Sequence, residues 1–154
     1  MKRSDARELA VHLIYGRGFT GEDPGEITRV RLAEEYYGKL AEVNEIYADR
    51  PSKKQQQYIN SVVAGVTREQ DAINQQISKF SIGWDVNRIS RLTRAILQLA
   101  IYEILHVEDA PTGVVISEAV RLAKKYDGDE TGAFVNGILG SYARSLTVPP
   151  EENP

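Results

Sequence analysis

The chain has 154 residues, 42% of them hydrophobic and 27% charged, with no cysteine and a net charge of −3. That balance suits one folded domain, or two half-domains sharing a core, and is too apolar for a disordered chain. The lack of cysteine excludes disulfides, thiolate metal sites and a cysteine nucleophile, and the small acidic net charge by itself gives no sign of nucleic acid.

Taken from the N-terminus, Met1-Lys2-Arg3-Ser4-Asp5 is polar and has no apolar core of the kind a secretory signal needs. No later apolar run reaches membrane-spanning length, so the expectation is a cytoplasmic protein with no membrane contact. Leu9, Ala10, Leu13 and Ile14 mark the apolar stripe of a first helix over about residues 4–16. Gly16 to Gly25, with four glycines and Pro24, reads as a loop. Val30, Ala33, Tyr37, Leu40 and Val43 repeat at three and four residues and predict a second helix. Pro51-Ser52 breaks the chain, with Ser52 as N-cap of a third helix that carries Ile59, Val62, Val63, Val66, Ile73, Ile77 and Phe80. That helix is long enough to bend or split. Asp85 is the expected cap of a fourth, with Ile89, Leu92, Ile96, Leu99 and Ala100 inward. Pro111-Thr112 opens a fifth, with Val115, Ala119, Leu122 and Ala123 inward, and Asp127-Gly128-Asp129 closes it. Val135, Ile138, Leu139 and Tyr142 mark a sixth. No stretch sustains a period of two. The expected fold is all-α, a helical bundle of about six to seven helices in two packed three-helix-type subdomains. Residues 1–146 form the binding domain, and residues 147–154, with Pro149, Pro150, Pro154 and two glutamates, form a frayed tail.

Catalytic chemistry is hard to assemble from these residues. His12 and His106 have no Asp, Glu or His set at ligand spacing, so no metal site is expected. Gly16-Arg17-Gly18 lacks the preceding strand that a phosphate-binding turn needs, and no cofactor is expected. The basic residues are better organised. Residues 1–18 hold four basic and two acidic side chains, whereas residues 107–154 hold four basic and eight acidic. A local basic patch can therefore act within a Debye length of about 8–10 Å despite the acidic total. Arg3 and Arg7 are four residues apart on one helix face, near Lys2. Arg88, Arg91 and Arg94 recur every three residues on the fourth helix, and Gln98 continues the Arg91–Arg94 side. Tyr15 and Phe134 offer stacking surface, although aromatics at helical spacing also serve cores. Glu103 falls in the middle of the apolar face of the fourth helix. It reads as a buried acceptor that holds a neighbouring helix, because no base, nucleophile or metal ligand accompanies it.

Three blocks together resemble the NusB family of bacterial transcription antitermination factors. The first is Ala6-Arg7-Glu8-Leu9-Ala10-Val11, ending in Tyr15. The second runs from Arg94 to Glu103 and is followed by Pro111. The third runs from Val115 to Lys125 and leads to Phe134-Val135-Asn136-Gly137-Ile138-Leu139. The resemblance covers about residues 2–144. It implies an all-helical fold of two three-helix-type bundles that binds boxA RNA of ribosomal RNA leaders as a heterodimer with NusE, a small-subunit ribosomal protein. The complex then joins the RNA polymerase elongation complex and suppresses termination. The family's RNA surface falls here on Lys2, Arg3 and Arg7, then Arg94, then Phe134. Tyr15, Arg91 and Gln98 are added by the residue pattern, and no residue is assigned a catalytic role.

The chain departs from the family pattern at Ser4 and Asp5, where many members have arginines, and at Gln98, where some have arginine. Fewer phosphate contacts imply weaker, less salt-sensitive RNA binding that leans on NusE. Three alternatives stay open. One is a helical protein-binding adaptor without RNA contact. Another is the NusB-like domain that accompanies an rRNA cytosine methyltransferase, for which the chain leaves no room after its last helix. The third is a homodimer formed through the partner surface.

Overall fold

The computed structural model describes residues 2–21, 23–33, 49–81, 83 and 89–147. Among these residues the chain forms seven helices and no strand: α1 (Arg3–Thr20), α2 (Pro24–Arg31), α3 (Lys53–Arg68), α4 (Gln70–Phe80), α5 (Arg91–His106), α6 (Thr112–Asp127) and α7 (Asp129–Thr147). No helix among them is long and apolar enough to cross a membrane. The chain divides into two compact units, Met1–Glu69 and Gln70–Pro154.

In the first unit, α1 and α2 both pack on α3 and on each other. Ala6, Leu9, Ala10, Leu13 and Ile14 of α1, Ile27 of α2, and Ile59, Val62, Val63 and Val66 of α3 are buried. These are the three- and four-residue spacings of single helical stripes. α1 runs four residues past the expected end and absorbs Gly16 and Gly18, whose cost of about 1 kcal/mol each is outweighed by the packed stripe beneath them. The chain turns instead at Gly21, where φ is 67° and the N–H bonds to the Arg17 carbonyl at 2.8 Å. That left-handed conformation suits glycine. α2 then starts at Pro24 under an Asp23 cap, earlier than the apolar spacing suggests. Tyr37, Leu40 and Val43 of the expected second helix lie outside the described residues. Ser52 caps α3 as expected, accepting from the Gln55 N–H while the Gln55 side chain accepts from the Ser52 N–H.

The expected third helix is split at Glu69 into α3 and α4. In the second unit α5 is the central element and packs against α4, α6 and α7. Every residue from Ala95 to Glu103 is buried, so this helix is enclosed on all sides rather than on one stripe. Its cap is Ser90, not Asp85: the Ser90 hydroxyl accepts from the Thr93 N–H at 3.0 Å. Asp85 and Arg88 lie outside the described residues, as do residues 148–154 of the expected tail. α6 and α7 are joined at Gly128, whose φ of 94° lets the chain reverse in one residue. They pack so closely that a Cβ on Gly132 would sit 2.5 Å from Lys124 Cγ.

Candidate nucleic-acid interface

The residues nominated from the sequence divide between the two units and between surface and interior. In the first unit, Lys2 is exposed at the N-cap of α1. Its backbone N–H donates to Asp5 Oδ2 at 3.2 Å, so Asp5 is committed to the helix N-terminus. The carboxylate also suits the positive end of the helix dipole. Arg3 is half-buried, with its guanidinium 4.2 Å from the centroid of the Tyr58 ring on α3. Such stacking fixes the planar group without consuming its N–H donors. Arg7, one turn further along, is buried at 7% exposure. Tyr15 is 38% exposed, about 20 Å from Lys2 along the helix at 1.5 Å per residue.

In the second unit, Arg91 is exposed at the first position of α5 and Arg94 is half-buried one turn on. Gln98 does not continue this surface. It is 5% exposed, and its amide donates to Asn74 Oδ1 of α4 at 2.9 Å. The turn from Arg94 to Gln98 thus carries the helix face from solvent into the α4 contact. Phe134 is also buried, at 5% exposure, and packs in α7 instead of presenting a stacking face. Arg7, Gln98 and Phe134, all expected at the RNA surface, are thus buried. Glu103 has no exposed surface at all.

Two features escaped the sequence reading. Asp127, at the end of α6, bonds to the start of α5: the Ser90 hydroxyl donates to Asp127 Oδ2 at 2.6 Å, and the Thr93 hydroxyl donates to the same oxygen. This brings the exposed Lys124 and Lys125 near the same end of the unit as Arg91. The alkyl chain of Lys124 lies across Gly132, and the Lys125 ammonium sits 5.4 Å from the Tyr126 ring centroid. The Lys-Lys pair was visible in the sequence, but nothing local tied it to α5. Tyr58 likewise carries no local signal, since its contact with Arg3 is made across the bundle. Among the described residues no group of three or more His, Asp or Glu side chains is placed to hold a metal ion.

Comparison with known proteins adds to this geometry. The profile of the NusB family matches residues 4–144. The transcription antitermination protein NusB of Acetivibrio thermocellus is 42% identical over 153 residues, covering 99% of this chain and 96% of the relative. Among solved structures, T. maritima NusB superposes with a TM-score of 0.74 at 29% identity, covering 99% of this chain and 96% of that one. A chain from a crystal structure of antitermination factors NusB and NusE in complex with dsRNA gives a TM-score of 0.70 at 26% identity, covering 93% and 96%.

Proposed function

The chain belongs to the NusB family, and from that premise we propose that it is a transcription antitermination factor that binds boxA-type RNA of ribosomal RNA leaders jointly with NusE. The loaded pair then joins the RNA polymerase elongation complex in the cytoplasm. The observation that carries this reading is the likeness to a chain from a solved assembly of NusB, NusE and RNA.

Residues 1–146 act as one binding module in this reading. Lys2, Arg3, Arg91 and Arg94 neutralise backbone phosphates, with Arg3 pre-oriented by Tyr58. Exposed Tyr15 offers a ring face to an unpaired base. That face favours single-stranded RNA, because a base within a duplex is already stacked on its neighbours. Arg7, Gln98 and Phe134 act from the interior by holding α1, α5 and α7 in place. A second surface takes NusE, so that two modest sites share one ligand. The protein supplies no bond-making step.

Fluorescence anisotropy with a labelled single-stranded boxA-type RNA and with the same sequence as a duplex tests the proposal. We expect the single strand to bind more tightly and NusE to raise its affinity severalfold or more. Arg94→Ala should weaken binding in both settings. Arg7→Ala is a poor probe, because it removes a buried side chain. Equal affinity with and without NusE, or no loss on Arg94→Ala, overturns the composite site.

A further inference from the structure

The last residue of α6, Asp127, meets the starts of two other helices of the second unit. Its Oδ2 accepts from the Ser90 hydroxyl at 2.6 Å and from the Thr93 hydroxyl, both at the start of α5. Its backbone carbonyl accepts from the Thr131 hydroxyl in the first turn of α7 at 3.2 Å. The α6–α7 side of this junction is closely packed: the Lys124 side chain lies across Gly132, and the Gly132 N–H donates to the Gly128 carbonyl at 3.2 Å. The carboxylate is thus carried on a firm base and reaches across to α5.

The start of α5 has more need of support. The first four N–H groups of a helix lack intrahelical acceptors, and a terminal turn frays most readily. The Thr93 N–H is taken by the Ser90 hydroxyl oxygen at 3.0 Å. Asp127 adds an acceptor for both hydroxyls and a negative charge at the positive end of the α5 dipole. The two bonded residues alternate with two nominated arginines: Ser90 directly precedes Arg91, and Thr93 directly precedes Arg94. Thr93 is buried at 1% exposure, so its end of the tie is kept from water. Fixing Ser90 and Thr93 fixes the backbone from which both arginines project. An arginine on a frayed turn must be ordered as it binds, and that ordering subtracts from affinity.

We propose that Asp127 is a positioning residue for RNA binding, an inference that rests on the RNA reading above. Its carboxylate touches no phosphate but holds the first turn of α5, so that Arg91 and Arg94 meet the strand already ordered. The effect is opposite in sign to plain electrostatics. A carboxylate acting by charge alone repels RNA, and its removal tightens binding. A positioning carboxylate strengthens binding, and its removal weakens it.

Fluorescence anisotropy with single-stranded boxA-type RNA and saturating NusE, between about 50 and 200 mM salt, tests this. Asp127→Ala should lower affinity severalfold and flatten the slope of log affinity against log salt by up to about 1.4, the share of two phosphates. Asp127→Asn keeps an acceptor oxygen for the hydroxyls and loses the charge, so it should bind at least as tightly as wild type. Thr93→Val removes one hydroxyl and leaves the carboxylate in place. It should weaken binding as well, and it decides the matter if circular dichroism shows that Asp127→Ala does not fold. In an Arg91→Ala/Arg94→Ala background, Asp127→Ala should cause no further loss, whereas a general loosening of the fold would. Wild-type or tighter binding by Asp127→Ala overturns the proposal. So do equal losses for the Ala and Asn variants, or a further loss in the background without the two arginines. If Arg94→Ala weakens binding and Asp127→Ala does not, the positioning role alone falls. If the wild-type protein with NusE binds no such RNA, both readings fall.

Discussion

At the scale of single residues, the sequence exposes charge but not depth. Arg3 and Arg7 are equivalent by spacing, yet one lies over Tyr58 at the surface and the other is buried. Arg7 falls about two helical turns before Ile14, at the edge of the buried stripe of Leu9, Ala10, Leu13 and Ile14. Gln98 follows Arg94 by one turn and is turned inward to meet Asn74. Glu103 is the opposite case: its place amid apolar neighbours at three- and four-residue spacing marked it as interior, and it has no exposed surface. A carboxylate kept there must be satisfied, since a buried donor left without its acceptor costs roughly 1–3 kcal/mol. Glu103→Gln preserves shape and one acceptor oxygen, whereas Glu103→Ala removes both and leaves space. Urea denaturation should therefore rank the variants wild type, then Gln, then Ala, with the Ala variant less stable by about 2 kcal/mol or more. Identical midpoints for all three would show that the carboxylate bonds to nothing of consequence.

Elements were legible where an apolar stripe and a cap agree. Ser52 and Pro111 were correctly placed at helix starts because a hydroxyl cap, or a proline that fixes φ, precedes a clear stripe. The sequence misled where glycine was read as a breaker. Gly16 and Gly18 stay helical, and the real stop, Gly21, differs from them only in its backbone conformation. The start of α5 was misplaced because Asp85 and Ser90 are both good caps by residue type. Ser90 succeeds through a partner far along the chain, Asp127, which receives its hydroxyl and that of Thr93. The carboxylate lies at the positive end of α5 and ties it to the last turn of α6. Ser90→Ala should then cost about 1 kcal/mol as a lost cap. Asp127→Ala should destabilise as well, and the two losses should not add. A double-mutant cycle read by thermal unfolding should give a coupling of about 0.5–3 kcal/mol. Strict additivity would mean that the cap and the interhelical tie act independently.

At the scale of the whole molecule, the all-helical, two-unit architecture followed from periodicity and breaks alone, because burying a stripe on each helix leaves few other ways to pack. What periodicity does not specify is which charged faces remain outside, and on those faces the proposed RNA binding depends. Four basic side chains of the nominated set, Lys2, Arg3, Arg91 and Arg94, keep exposed or half-exposed positions, while Arg7 is buried. Each single-strand phosphate neutralised contributes about 0.7 to the slope of log affinity against log salt. Four contacts predict a slope of about −3, and an affinity that falls about 50-fold between 50 and 200 mM salt. In the proposed function, a base stacked on Tyr15 would add affinity without adding to that slope, because it releases no counterion. Tyr15→Ala should thus lower affinity by a similar factor at every salt concentration, whereas Arg94→Ala should flatten the slope by about 0.7. Fluorescence titrations of both variants across that salt range separate the two contributions. A flattened slope for Tyr15→Ala and a parallel one for Arg94→Ala would reverse the assignment of roles, with the strand's phosphates following α1 near Tyr15 and the start of α5 serving another purpose.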